Sequence, residues 1–200
     1  MSGDGPIGDY DRKAALVVTD VQNDFADPGG NLYVEGGEET ISLINAEIEA
    51  AKDAGAFVVY TQDWHPDSTP HFSKDGGIWP VHCVQGTKGA EFHPDLRVDG
   101  PVVRKGVEGG DGYSGFSVRD PRTGVAQQTD LDGVLKQHGI ERLVVVGLAQ
   151  DYCVKDTVLD GLRNGYRVTL LADATRPVNQ QPGDGARAIA EMVRAGAEIR

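Results

Sequence analysis

Five short aliphatic runs punctuate the chain: AALVVTD over residues 14–20, AFVVYT over 56–61, VVR over 102–104, RLVVVGL over 142–148 and RVTLLA over 167–172. They are nearly continuous rather than alternating, which fits strands buried on both faces of a parallel sheet. Between them, apolar positions recur with helical spacing. In residues 38–54, Ile41, Ile44, Ile48 and Ala51 share one face, and Gly55 supplies a stop signal. Helical patterns at 131–138 and 154–164 end at Gly139 and Gly165, and a fourth at 185–195 precedes a short AEI that is a candidate sixth strand. This alternation predicts an α/β fold, a six-stranded, mainly parallel sheet with helices on both faces. Residues 62–101 break the rhythm with Pro, Gly, His and aromatic side chains and no helical pattern. So long an irregular stretch inside a compact domain is usually functional.

The length of 200 residues predicts one domain, over 13–200, behind a short flexible leader over 1–12. Such a chain buries roughly 70% of its unfolded surface and needs no disulfide staples. The 19 Lys and Arg against 31 Asp and Glu leave a net charge of −12, which argues against nucleic acid or an anionic membrane as the main partner. No window approaches the length of apolar sequence that spans a bilayer, and MSGDGPIGDYDR lacks the marks of a signal peptide. Two cysteines without an export signal predict free thiols in a reducing cytoplasm.

Ligands of open parallel sheets bind at the carboxyl ends of the strands. Asp20 follows the first aliphatic run, Asp63 and His65 the second, Lys105 the third, and Cys153 lies just past the fourth. A carboxylate, a metal-ligand pair, a cation and a thiol therefore converge on one rim. Cys153 precedes a helix, whose unpaired N–H groups, with Lys105, are expected to lower the thiol pKa. Asp20 is then placed to take the thiol proton and return it to a leaving group. Taken singly, a cysteine is more often a small buried hydrophobe, Asp20 a turn residue and Lys105 a solvated charge. The turn GLAQDYC, from Gly147 to Cys153, favours the catalytic reading, because such turns present backbone N–H groups to an oxyanion.

Three of the five histidines gather near Asp63. Asp63 and His65 point the same way on an extended segment, and His71 and His82 come in from the irregular stretch. One carboxylate with two or three imidazoles suits one divalent ion, and the ligand set alone leaves zinc, iron and manganese open. Cys83 is a rival to His82, although neighbours on an extended backbone point oppositely. His93 and His138 read as surface or hydrogen-bonded rings. Phe25, Trp64, Trp79 and Tyr113 fall in loops; Phe25 and Trp79 read as substrate walls, while Trp64 serves equally well as a loop cover.

In ALVVTDVQNDF, TQDWHPDSTPHFS, WPVHCVQGTKGAEFHPDL, VVRKG, YSGF and VVGLAQDYCV, the chain resembles the nicotinamidase/pyrazinamidase branch of the isochorismatase-like cysteine hydrolases. The resemblance runs from about Ala14 onward, with the motifs in the family's order. It implies a three-layer αβα fold and a triad of Asp20, Lys105 and Cys153. It also implies a metal, zinc before iron or manganese, on Asp63, His65, His71 and His82, holding a pyridine nitrogen. A cis bond at Leu148–Ala149 is implied, with the Ala149 and Cys153 N–H groups forming the oxyanion hole. Substrate contacts fall on Phe25, Trp79, Tyr113 and Leu148. The implied reaction converts nicotinamide, and also pyrazinamide, to the acid and ammonia through a Cys153 thioester, a step of NAD salvage. The partner is thus a small-molecule amide, and homo-oligomers are common in the family. The alternatives are a related amidohydrolase for another carboxamide, carbamoyl or lactam substrate, a metal–hydroxide hydrolase, and a non-catalytic binding protein. Two departures bear on the pocket: the glycine-rich GVEGGDG between Lys105 and Tyr113 is one residue longer than the family pattern leads one to expect, and Gln150 is bulkier than the small residue often found there.

Overall fold

The computed structural model describes residues 7–200. In chain order the strands are β1 (Ala14–Thr19), β2 (Phe57–Asp63), β3 (Val102–Lys105), β4 (Ser117–Arg119), β5 (Ala126–Gln128), β6 (Arg142–Leu148), β7 (Arg167–Arg176) and β8 (Glu198–Ile199). The helices are α1 (Asn23–Ala26), α2 (Ile41–Asp53), α3 (Leu131–Gln137), α4 (Lys155–Arg163) and α5 (Asp184–Ala195). Six strands form one sheet in the order β3-β2-β1-β6-β7-β8, and every pairing in it is parallel.

The continuous aliphatic runs are explained by two apolar layers. Along β1, Leu16 and Val18 face one side and pack with Ile41, Ile44, Ile48 and Ala51 of α2. Ala15 and Val17 face the other, with Leu131 and Leu135 of α3, Val158 and Leu159 of α4, and Ala188 and Met192 of α5. Both faces of each central strand must therefore be apolar, and each fully buried Leu, Ile or Val contributes about 1.5–3 kcal/mol of transfer free energy.

The chain builds the sheet outward from β1 through β2 to β3, then returns to β6 and builds the other way through β7 to β8. The switch point lies between β1 and β6, and a crevice at the carboxyl ends of these strands is the expected ligand site of such a sheet. Asp20 ends one side of that crevice and Cys153 follows the other.

Three features of the fold have no clear sequence signal. β4 and β5 form a small antiparallel hairpin of half- or fully exposed residues, mostly polar and too short for a period-2 pattern to register. α1 is too short for a helical repeat to register. β7 continues to Arg176 through the polar ADATR, past a register shift on β6 between Val145 and Gly147. Of the leader expected over 1–12, residues 1–6 lie outside the described residues, whereas Ile7 onward is held. The Ile7 and Gly8 N–H groups and the Tyr10 hydroxyl donate to the buried Glu47 carboxylate at 2.6, 3.1 and 2.7 Å. Among the described residues, no helix is long and apolar enough to cross a membrane.

Candidate active site

The site grows from the ends of three neighbouring strands. Asp63, the last residue of β2, is in register with Lys105, the last of β3, so parallel pairing brings their side chains together. Lys105 is fully buried. Its Nζ donates to Asp63 Oδ1 at 2.5 Å and to the Gly112 carbonyl, and lies 2.7 Å from Asp20 Oδ2 and 3.7 Å from Cys153 Sγ. Asp20 leaves β1 at φ 48°, a left-handed conformation that Asp tolerates better than most residues, and its Oδ1 accepts the Thr61 hydroxyl at 2.7 Å. Asp20, Lys105 and Cys153 are thus in one buried cluster, as expected. The Lys105–Asp63 contact was not expected; it joins this cluster to the histidines.

Cys153 sits in a wide π-type turn, Gln150–Val154, that links β6 to α4. Such turns are frequent at functional sites. Burial pushes the Cys153 thiol well above its ordinary value, and the opposing pull of Lys105 does not overcome this. That reverses the lowered thiol pKa expected from the helix end. The physical reason is complete burial, reinforced by the Asp20 and Asp63 carboxylates. Asp20 is raised to about 6, by burial first and against the pull of Lys105. Burial also pushes Asp63 up, but Lys105 and His65 outweigh it and leave that carboxyl far below the usual range. Burial alone lowers Lys105; the two carboxylates reverse this and hold it firmly charged.

Two clusters of metal-type ligands share this region: His65, His71 and His82, and Asp20, Asp63 and Cys153, each with donor atoms within 4.8 Å of one another. The second already surrounds the Lys105 ammonium, so a cation has no place there. The first fits a metal. His65 is fully buried with no hydrogen-bond partner for either ring nitrogen, an arrangement that costs roughly 1–3 kcal/mol per unsatisfied group unless something binds there. His82 Nδ1–H donates to the Pro80 carbonyl at 2.8 Å and His71 Nδ1–H to Asp111 Oδ1 at 2.6 Å, leaving each Nε2 with a free lone pair. Burial lowers His82 to about 4, so its ring is neutral near pH 7. Asp63 Oδ2 lies 3.5 Å from His65 Nε2 and 3.9 Å from His82 Nε2, completing a set of three imidazoles and one carboxylate.

The rival Cys83 is excluded by its backbone. With its backbone at φ 46° and its N–H fixed to Asp24 Oδ2 at 2.6 Å, its Sγ lies 4.0 Å from the Gly89 carbonyl, packed in the α2-side core and outside the ligand cluster. His138 stacks on Phe57 and His93 lies beside Asp95, both away from the cluster. The glycine-rich loop after Lys105 closes over the ligands because it carries no side chains there. A Cβ on Gly106 would stand 2.5 Å from His65 Cε1, and one on Gly112 would stand 3.0 Å from Asp63 Oδ1.

Phe25, Trp79 and Tyr113 line a pocket together with Asp63, His71, His82, Ala149 and Cys153. Trp79 Nε1–H donates to the Tyr113 hydroxyl at 2.8 Å, which locks the two rings despite the long loop between Lys105 and Tyr113. The Leu148–Ala149 peptide is cis. Ala149 borders the pocket, and its carbonyl accepts the Tyr152 and Val154 N–H groups at 3.1 Å each. Leu148 requires a correction: it does not line the pocket, because its position at the end of β6 sends its side chain into the α2-side core. Trp64 is also absent from the pocket and lies under the Arg104 guanidinium at 3.9 Å. Gln150 turns away too, its amide donating to the Gly185 carbonyl and accepting from the Thr175 hydroxyl at 3.1 Å each.

Sequence reasoning missed Tyr152, Leu32 and Val178, which complete the wall. Tyr152 stands edge-on to Trp79 at 4.8 Å, and its place beside Cys153 was the available signal. Val178 is held by Asp151, whose carboxylate accepts the Val178 and Asn179 N–H groups at 2.9 Å each; nothing in the local sequence announces that link.

Residues 14–200 match the isochorismatase domain model. The chain is 40% identical to the nicotinamidase of Escherichia coli, over 92% of this chain and 93% of that protein. It is 39% identical to the nicotinamidase/pyrazinamidase of Mycobacterium tuberculosis, over 92% and 97%. The pyrazinamidase of Pyrococcus horikoshii, solved in complex with zinc, superposes with a TM-score of 0.84 at 41% identity, covering 94% of this chain and 98% of that one. The chain is a member of the isochorismatase domain family.

Proposed function

We propose that this protein is a metal-containing cysteine amidohydrolase that converts nicotinamide, and also pyrazinamide, to the carboxylic acid and ammonia. The observation that carries this reading is the Lys105 ammonium held between Asp20, Asp63 and Cys153, at the edge of an aromatic pocket that adjoins three buried imidazoles. The likeness to nicotinamidases and pyrazinamidases supports the substrate class.

In the resting site Cys153 is a thiol. Asp20, as a carboxylate, takes its proton, while Lys105 stabilises the thiolate that forms. The sulfur attacks the carboxamide carbon, and the Ala149 and Cys153 N–H groups receive the developing oxyanion. Asp20 returns the proton to the amide nitrogen as the C–N bond breaks, so ammonia leaves and an acyl thioester remains on Cys153. Water, deprotonated by Asp20, then attacks the thioester; the C–S bond breaks to free the acid, and Asp20 passes the proton to the departing Cys153 sulfur, restoring the thiol. Asp63, His65, His71 and His82 would hold the metal, zinc in this reading, as in the Pyrococcus pyrazinamidase complex. Bound there, it supplies a Lewis acid for a pyridine nitrogen. Phe25, Trp79, Tyr113 and Tyr152 enclose the flat ring. Two free cysteines agree with a reducing cytoplasm, where nicotinamide hydrolysis serves NAD salvage.

Benzamide, which has the carboxamide but no ring nitrogen, tests this assignment. With the ring-nitrogen contact taken as worth as much as a hydrogen bond to a charged group, about 1.5–3 kcal/mol, kcat/KM for nicotinamide should exceed that for benzamide by roughly 10- to 150-fold. Equal values, or faster hydrolysis of a ureido or lactam substrate than of nicotinamide, would contradict it.

The raised Asp20 pKa also sets a pH limit. Because the base must be ionised to accept the thiol proton, kcat/KM should fall as the pH drops through about 6. A profile flat from pH 7 down to 5 would mean that Asp20 is not that base.

A further inference from the structure

The glycine-rich loop contributes one side chain that the reaction scheme does not use. Asp111 is nine-tenths buried, and its Oδ1 accepts the His71 Nδ1–H at 2.6 Å. Its own position is fixed from outside the site. The Asp111 N–H donates to the Arg119 carbonyl at 2.7 Å and the Arg119 N–H donates back at 3.0 Å, so the loop is clamped to strand β4. Arg119 Nη2 lies 3.7 Å from Asp111 Oδ2, the oxygen not used by His71. A second tie runs parallel to the first. The Thr69 hydroxyl donates to the Gly109 carbonyl at 2.5 Å and accepts the His71 N–H at 3.2 Å.

Of the three clustered histidines, His71 alone has a carboxylate on its Nδ1. His82 has a backbone carbonyl there, and His65 has no partner on either nitrogen. A carboxylate on the outer nitrogen fixes the tautomer and ring orientation, and raises the basicity of the nitrogen that faces the ion. His71 also arrives on the irregular segment, eight residues past the end of β2, whereas His65 follows that strand by two residues and bridges to Val84, so the geometry of His71 depends more on a partner from elsewhere.

We propose that Asp111 is a positioning residue for the metal centre: clamped by the β4–β5 hairpin, it holds His71 with its proton on Nδ1 and its Nε2 lone pair directed at the ion. The proposal rests on the reading of the histidine cluster as a metal site. It gives the hairpin a role, since the hairpin fixes Asp111, which in turn fixes a ligand.

The test is zinc affinity, measured by competition with a chromophoric chelator, in the wild type, Asp111→Asn and Asp111→Ala. Loss of such an outer partner costs about 10- to 100-fold in metal affinity. Asp111→Ala should weaken zinc binding within that range. Asp111→Asn keeps the side-chain size and both backbone bonds to Arg119 but lacks the charge; it should bind zinc about 10-fold more weakly, and it decides the matter if the alanine variant does not fold. Nitrogen-15 NMR of labelled histidine in the zinc-loaded proteins supplies a readout that general loosening of the fold would not move. The wild type should show His71 protonated at Nδ1, with that proton protected from exchange, and the variants should lose the protection. Wild-type zinc affinity in a folded variant would overturn the proposal while leaving the metal site intact. A wild type that binds no zinc would overturn the metal reading and the proposal with it.

Discussion

Cys153→Ala should release ammonia from nicotinamide at least about 10⁴-fold more slowly than the wild type while still binding zinc. The size of the effect follows from the role of the sulfur. Without it no thioester forms, and the remaining groups can only assist direct attack of water on the amide, a far less reactive acyl group than a thioester. Residual activity from oxyanion stabilisation and substrate positioning alone is typically small beside that of the intact nucleophile. Ala fits where the Cys153 side chain is buried, so folding should persist, and zinc content serves as the control. A variant retaining more than about a tenth of the wild-type rate would point to metal-activated water and exclude the thioester route.

Lys105→Met should fail in a different way, losing stability as well as activity. The ammonium lies between two carboxylates that are themselves almost wholly buried. Removing one partner of a buried ionic group leaves uncompensated charge and costs about 3–5 kcal/mol. The sign of the pH dependence identifies the cause. Without Lys105, burial and the Asp63 carboxylate raise Asp20 further above its unfolded value, and Asp63 loses the largest pull that holds it down. A raised folded-state pKa gives stability that is present at low pH and lost as the pH rises through that pKa. The stability deficit of Lys105→Met relative to the wild type should therefore be larger at pH 8 than at pH 5, as measured by urea unfolding at the two values. A deficit that is the same at both would mean that the methionine fails for steric reasons.

Most of the residues that carry this chemistry were legible because they lie at or just past the end of an aliphatic run. Parallel strands that end together bring their next residues to one rim, so Asp20, Asp63 and Lys105 could be placed by counting from the hydrophobic pattern. Their electrostatics were not legible in the same way. Proximity of Cys153 to Lys105 and to a helix end suggested a lowered thiol pKa, but the sign depends on how completely the sulfur is removed from water, and burial prevails. Leu148 was misassigned because the resemblance supplied a position along the chain and no direction for the side chain, and strand pleating sends it to the core. Asp111 lay unseen in a segment of glycines. Its partner His71 is 40 residues away, and the hairpin that aligns them has no hydrophobic period to betray it.

The pocket beside Cys153 hydrolyses a pyridine carboxamide in this reading of the site. Ammonia release from nicotinamide by zinc-loaded wild-type protein, followed against substrate concentration and with the acid product identified, tests it most directly. Release should saturate, with one nicotinate formed per ammonia. Zinc-loaded, folded protein that releases no ammonia from nicotinamide at any concentration would contradict it.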